Sequence, residues 1–190
     1  NKQNYQSARD YVDECCVKLI GGDYPIEKLT ISKMLNSHYK NPDQIAHKVL
    51  ADRIGEREAG NKPQNGDRIP YVYIHNPNAK LQADKIENPN YVLANKLKVD
   101  YKFYITNQIS KPVGQIFALF IDKLNSKRFP ESLFEAYLNK QLKAGKDEYQ
   151  AHKKLMEYRL KLAIEYVFER HVLEVHNKQT GQMSILGWVK

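Results

Sequence analysis

Tyr5, Ala8, Val12, Cys15, Cys16 and Leu19 recur at the three- and four-residue spacing of one helix face, which predicts a helix over residues 4–20 closed by Gly21-Gly22. Residues 29–33, Leu-Thr-Ile-Ser-Lys, are short and β-branched and predict a strand ending at Lys33. Asn41-Pro42 predicts an N-cap and first helical residue, with Ile45, Ala46, Val49, Leu50 and Ile54 as the buried stripe. After Pro70 the run Tyr71, Val72, Tyr73, Ile74 predicts a second strand, and residues 91–97, after a polar loop through the eighties, a short helix. From Asp100, apolar positions at Tyr101, Tyr104, Ile105, Ile109, Val113, Ile116, Phe117, Phe120 and Leu124 keep one helical register through Pro112. That proline predicts a kink, with carbonyls near Gln108 and Lys111 left for other donors. Phe129-Pro130 breaks the pattern; residues 131–142 and 147 to about 171 then predict two helices about Gly145, residues 172–176 a short strand, and 182–189 a terminal segment. The fold class is α+β and mostly helical, with a small antiparallel sheet or hairpin packed on helices.

With 190 residues and 42% apolar content, the chain is long enough for a real core. Its 30 Lys and Arg against 22 Asp and Glu give a net charge of +8, which favours a polyanionic partner or an acidic surface. No apolar run is long enough for a membrane helix and the N-terminus has no signal-peptide pattern, so the expectation is a soluble, intracellular protein. The chain begins without Met, as a piece of something larger would. Cys15 and Cys16 are adjacent and lack any metal-ligand spacing, so both are expected to be core thiols and no metal site is expected.

The candidate chemistry centres on residues 62–74. Asn65-Gly66 is a turn dipeptide between Pro63 and Pro70, so a stiff loop should place Lys62, Asp67 and Arg68 at the mouth of a strand. On the preceding helix the four-residue ridge runs Ile45, Val49, Arg53, Arg57, from the core out to two guanidiniums. Convergence of Arg53, Arg57, Lys62 and Arg68 would make a phosphate-binding surface. Salt bridges to Asp52, Glu56, Glu58 and Asp67 are the other reading of the same residues, and spacing alone favours it. His47 is either a further contact or a structural histidine, Lys33 meets phosphate or water, and Lys111 lies at the predicted kink on the side away from the stripe. Phosphate-cradling glycine loops, zinc-peptidase motifs, nucleophile elbows and acidic pairs suited to two Mg2+ ions are all missing from the sequence.

The series Leu29-Thr-Ile-Ser-Lys33, Ala46-His47, Leu50-Ala-Asp-Arg53, Gly66-Asp-Arg-Ile-Pro-Tyr-Val72 and Tyr104-Ile-Thr-Asn-Gln108-Ile-Ser-Lys111-Pro112 resembles the thumb region of family B DNA polymerases over about residues 5–125. Arg53-Ile-Gly-Glu-Arg-Glu-Ala-Gly-Asn-Lys-Pro63 looks like that family's Arg-rich stretch, with Glu58 and Ala59 in place of its usual Asp and Pro. The likeness is greatest to polymerases of large double-stranded DNA viruses. It implies a thumb core over 1–125, with 1–25 as a lead-in helix from the palm side, a helical extension over 126–181 and a tail over 182–190. It further implies a parent that is a DNA-directed DNA polymerase using Mg2+ and dNTPs, with palm, fingers and exonuclease as partners of this piece. The piece itself would carry no catalytic residue and need no cofactor.

By the same resemblance, duplex primer-template DNA is the partner, gripped through its backbone by Lys33, His47, Arg53, Arg57, Lys62, Gly66, Arg68, Gln108 and Lys111. Asp67, Pro70, Tyr104 and Pro112 would support them, Asp67 by orienting Arg68 or capping the turn. At the end of the chain Gln182, Ile185 and Trp188 fit the spacing of a sliding-clamp peptide, with Val189 where a second aromatic is usual; a terminal strand packing Trp188 is the other reading. A stand-alone basic nucleic-acid or protein-interaction module unrelated to a polymerase is the alternative function, with the 13 tyrosines as stacking platforms.

Overall fold

The structure, a computed structural model, describes residues 4–180 and is mostly helical with one small sheet. In chain order it has α1 (Tyr5–Gly21), α2 (Ile26–Leu29), β1 (Ile31–Met34), α3 (Ala46–Arg57), β2 (Arg68–Tyr73), β3 (Ile86–Glu87) and α4 (Pro89–Ala94). Then follow α5 (Tyr101–Phe103), a π-helical stretch over Tyr104–Ile109, α6 (Ser110–Ala118), α7 (Ile121–Leu124), α8 (Glu131–Lys143) and α9 (Glu148–Thr180). These make two compact units: Gly22–Tyr104, which holds the sheet, and a helical unit from the chain up to Gly21 and from Ile105 onward.

In the sheet unit the strands are antiparallel in the order β1-β2-β3. Ile69 and Tyr71 turn one face of β2 onto α3, where they join Leu35, Leu50, Ala51 and Ile86 in the core. Pro70 stands opposite Ser32. The Leu35 N–H bonds the Asp67 carbonyl at 2.8 Å, so by the alternation of an antiparallel ladder position 70 is a non-hydrogen-bonded site. Pairing with β3 begins only at Val72, and the missing proline N–H therefore removes no ladder bond.

Three expectations for this unit need correction. Asn41 makes no side-chain cap; Pro42–Gln44 form a single 3-10 turn, Ile45 is extended, and the helix begins at Ala46. The strand after Leu29 begins at Ile31, because residues 26–29 close a helical turn first. The polar loop in the eighties contributes β3, too short to show a period in the sequence.

The single helix expected from 100 to 124 is divided. The α5 start is capped by Asp100, whose Oδ1 accepts the Phe103 N–H at 3.0 Å. The π stretch ends just before Lys111-Pro112. In an α-helix the Pro112 ring would press on the carbonyl four residues back; widening the preceding turn relieves that clash, so the helix continues past the proline. The Ser110 hydroxyl donates to the Thr106 carbonyl at 2.8 Å within this stretch. The register ends at Leu119–Phe120, with Phe120 at φ −135°. Inside the sheet unit, Tyr104 is 4% exposed; its hydroxyl donates to the Leu29 carbonyl at 2.7 Å and accepts the Tyr73 N–H at 3.0 Å. That one atom ties α2 to β2. Burial pushes its pKa up to about 12.

The helical unit is built along α9, against which α1, α6 and α8 pack. Residues 172–176 are helical and not a strand: Ala163, Val167, His171 and Val175 continue one buried ridge at four-residue steps, and this burial overrides the β-branched composition. His171 Nε2 meets Asp13 Oδ1 at 2.7 Å, joining α9 to α1. Gly114 lies where α6 crosses α9; a Cβ there would stand 2.6 Å from Ile164 Cγ1. Arg159 Nε donates to the Ala118 carbonyl at 2.7 Å, and its guanidinium also reaches Asp122, so α9 caps the end of α6. The tail that carries Gln182, Ile185 and Trp188 lies outside the described residues.

Two outcomes follow. Gly114→Ala, which in an open helix would stabilise by up to about 1 kcal/mol, should here destabilise by about 1–3 kcal/mol through overpacking, read from urea unfolding. Tyr104 titrates higher in the folded than in the unfolded chain, so its contribution is fully present below about pH 10 and falls away as pH rises towards 12. Tyr104→Phe should lower stability at pH 7 by about 1–3 kcal/mol and flatten the alkaline fall; an unchanged alkaline limb would disprove the coupling.

Candidate nucleic-acid interface

The loop before β2 closes with Gly66 at φ 94°, a left-handed conformation that glycine adopts without strain. The Asp67 N–H bonds the Gln64 carbonyl at 3.1 Å, and Asp67 Oδ2 accepts the Gln64 N–H at 2.7 Å, so both ends of the turn are held by one residue. Gly66 and Asp67 together face Leu35 on the other strand: the Gly66 N–H bonds the Leu35 carbonyl and the Leu35 N–H bonds the Asp67 carbonyl, each at 2.8 Å. This is a bulge with glycine in its first position. Space beyond the Gly66 Cα is open, so a ligand can approach the backbone there.

Exposed cations surround this end of the hairpin. Lys33 is on β1 opposite Ile69, and Arg68 is on β2 opposite Met34; their Cα–Cβ bonds therefore leave opposite faces of the strand pair. Arg68 crosses over β1, with Nε donating to Ser32 Oγ at 3.0 Å and Nη2 to the Ser32 carbonyl at 3.1 Å. It covers an edge-strand acceptor and keeps further donors in solvent. The stem of Lys62 lies against Gly55 of α3, where a Cβ would come within 2.7 Å of its Cγ. Its ammonium is exposed, 3.9 Å from an Asp52 carboxylate that Lys48 already binds. Lys40, which sequence reasoning passed over, is exposed on the segment after β1.

Arg53 and Arg57 turn inward instead. Glu87 on β3 is 3% exposed, and Arg57 Nη2 donates to its Oε2 at 2.8 Å. Arg53 Nη2 donates to the carbonyls of Ile86 at 2.9 Å and Ala83 at 3.1 Å, with its Nε 3.7 Å from Glu87 Oε2. The Arg57 guanidinium also stacks over Tyr91, 3.6 Å from the ring centroid, and the Glu87 hydrogen bond holds its pKa above the ordinary guanidinium value. The ion-pair reading of these arginines thus has a geometry, with a partner thirty residues away in sequence and not among the four nearby acids. His47 is similarly engaged. Its Nε2 lies 3.0 Å from the Tyr39 hydroxyl, which accepts the Asn36 N–H at 2.8 Å, and burial lowers its pKa.

Gln108 and Lys111 belong to the helical unit, both exposed, in the π stretch and the first turn of α6. Cys16 is buried and its thiol is pushed up to about 12 by that burial, which removes it as a nucleophile. Among the described residues no three His, Cys, Asp or Glu side chains gather as a metal site, and no helix is long and apolar enough to cross a membrane.

The comparisons with known proteins agree with the strand-and-turn motifs. Residues 1–120 match the family model of DNA polymerase family B, and the chain belongs to that family. Among relatives, a DNA polymerase of Pyramimonas orientalis virus is 37% identical over 98% of this chain and 16% of that protein. A DNA polymerase of Acanthamoeba polyphaga mimivirus is 47% identical over 67% of the chain and 8% of that protein. The DNA polymerase delta catalytic subunit of Caenorhabditis elegans is 37% identical over 61% and 11%. The chain thus spans less than a fifth of each of these three relatives. Membership removes the alternative of a module unrelated to a polymerase.

Glu87→Gln should leave two guanidiniums without their counter-charge and destabilise by about 3 kcal/mol. The check is a lowered urea midpoint at an unchanged slope; a variant as stable as the parent chain would show that the two arginines do not depend on Glu87.

Proposed function

We propose that this chain is the thumb portion of a DNA-directed DNA polymerase and that it holds nascent primer-template duplex through backbone contacts that ignore sequence. The observation that carries the reading is the group of exposed cations, Lys33, Lys62 and Arg68, around an open glycine turn in a region that matches DNA polymerase family B. Two nearby carboxylates are already engaged: Asp67 accepts the Gln64 N–H, and Asp52 is held by Lys48 with the Lys62 ammonium 3.9 Å away. What remains for a ligand is net positive, close to a turn where backbone can approach phosphate. Lys40, Gln108 and Lys111 are further contacts, made by exposed side chains.

Arg53, Arg57 and His47 act as positioning residues. The two arginines fix α3 against β3, which sets the helix whose Gly55 supports the Lys62 stem. His47 holds Tyr39 and, through it, the chain after β1. In the parent, primer extension with Mg2+ and dNTPs is assigned to the palm, and this chain alone is inactive in nucleotide addition. The tail residues Gln182, Ile185 and Trp188 are assigned to a sliding clamp on their spacing alone.

The test is fluorescence anisotropy with duplex DNA over a range of salt. Affinity should be about 10^-4 to 10^-6 M at physiological salt, with a log-log slope of roughly −4 to −5 for about five phosphates neutralised. Lys33→Ala, Lys62→Ala and Arg68→Ala should each shrink the slope by about one, whereas Arg57→Gln should lower stability and leave the slope of the folded protein unchanged. Equal slopes throughout, or single strands outcompeting duplex, would overturn the assignment.

A further inference from the structure

A second surface lies in the helical unit. A groove of about 600 Å3 runs between α6 and α9, and its α9 wall is formed by residues beyond 120, where the family match stops. Leu119, Tyr149, Met156 and Leu160 line it. Leu119 is 66% exposed, Tyr149 79% and Met156 42%, and Ile116, one turn from Leu119, is 59% exposed. Four large apolar side chains gathered in solvent forgo the gain that burial brings each of them, and such patches mark docking sites.

The rim supplies the charge. Glu157, the acid lining the groove, is bonded to Lys154 Nζ at 2.7 Å, and its carboxyl is held below the usual range by Lys154, with Lys153 and Lys146 contributing. Lys153 lines the groove and has no carboxylate in ion-pair reach among the described residues; Lys146 bonds the Gln141 amide. Asp147 and Glu148 fall at the start of α9, where Asp147 caps the Gln150 N–H at 2.8 Å and the helix dipole favours both. Among the charged residues that line the groove, Glu157 is offset by Lys154, which leaves the positive charge of Lys153, with Lys146 close enough to act on Glu157. Both walls are helices, so no strand edge is available for a peptide to extend. The largely apolar floor suits side chains better than phosphates.

We propose that the α6–α9 groove docks an amphipathic helix with acidic flanks, contributed by a partner protein. Its apolar residues at i, i+3 or i+4 and i+7 sit over Leu119 and Met156, and its carboxylates meet Lys146 and Lys153. Display selection of helical peptides of roughly 16 residues, about four turns, on the 190-residue chain tests this. Enriched peptides should share that spacing and a net negative charge. Leu119→Glu should weaken them by about tenfold and Lys153→Glu by less, with the helical circular dichroism unchanged because both positions are exposed. Tyr149→Ala is the second probe and should weaken them in the same direction. The proposal is overturned if the enriched peptides are basic or lack helical spacing, if Leu119→Glu binds them as well as the parent chain, or if a single-stranded oligonucleotide of roughly 20 bases displaces them.

Discussion

A carboxylate buried to 3% exposure has to be neutralised, and in the sheet unit that requirement falls on Glu87. It sits on a two-residue strand, which by itself has too few ladder bonds to be held in place. Arg57 and Arg53, one turn apart on α3, supply the counter-charge, and Arg53 also takes the Ile86 and Ala83 carbonyls. The constraint runs both ways. The short strand is fixed because two guanidiniums need its acid, and α3 is fixed in rotation because both arginines must point at β3. With that rotation set, Leu50 and Ala51 enter the core and Gly55 faces the Lys62 stem. The charged network therefore orients α3, the helix against which the Lys62 stem rests.

The same logic explains which parts of this unit were legible in the sequence. The Asn65-Gly66 turn, the strand at Pro70 and the amphipathic stripe of α3 are local signals, and each element is present, although α3 begins four residues later than Pro42 and β2 begins at Arg68, before Pro70. The ridge Ile45, Val49, Arg53, Arg57 was readable as a ridge but not as to its destination. Spacing on a helix gives the face, whereas the partner depends on which strand packs there, and β3 left no periodic trace. Four acids close in sequence were reasonable partners, yet the one that binds is thirty residues distant, held near by the fold alone. The site was legible to the same extent: the cation-bearing hairpin from local chemistry, the division into exposed and inward-turned basic residues only from packing.

The helix after Asp100 shows a different limit. Pro112 announced a disturbance, and the apolar register announced that the helix survives it. Sequence could not choose between a bend and a widened turn, because both relieve the same clash. The choice of a π stretch over Tyr104–Ile109 matters for what comes before it. Tyr104 opens that stretch with its hydroxyl shared between Leu29 and Tyr73, two buried backbone groups that lack that partner otherwise. An inserted residue in the turn changes the angular position of everything downstream by about 100°, so Tyr104 and the α6 face need not obey one continuous α-helical register. One helix pattern in the sequence thus serves two packing tasks.

Packing also decides where the helical unit ends, and it does so against the grain of the sequence match. Family-matched residues stop at 120, but α6 is completed by α9: Arg159 takes the Ala118 and Leu119 carbonyls, and Gly114 gives up its side chain to let Ile164 approach. Those carbonyls are the orphan acceptors that every helix end leaves, and a guanidinium placed by a distant helix satisfies them as well as a local cap would. At the other end of α9, the His171–Asp13 contact reaches α1, which precedes the sheet unit in the chain. A line drawn where the family model ends, at residue 120, consequently does not separate two bodies. The long helix is the element on which α1, α6 and α8 converge, so residues beyond the family model carry the packing of residues within it.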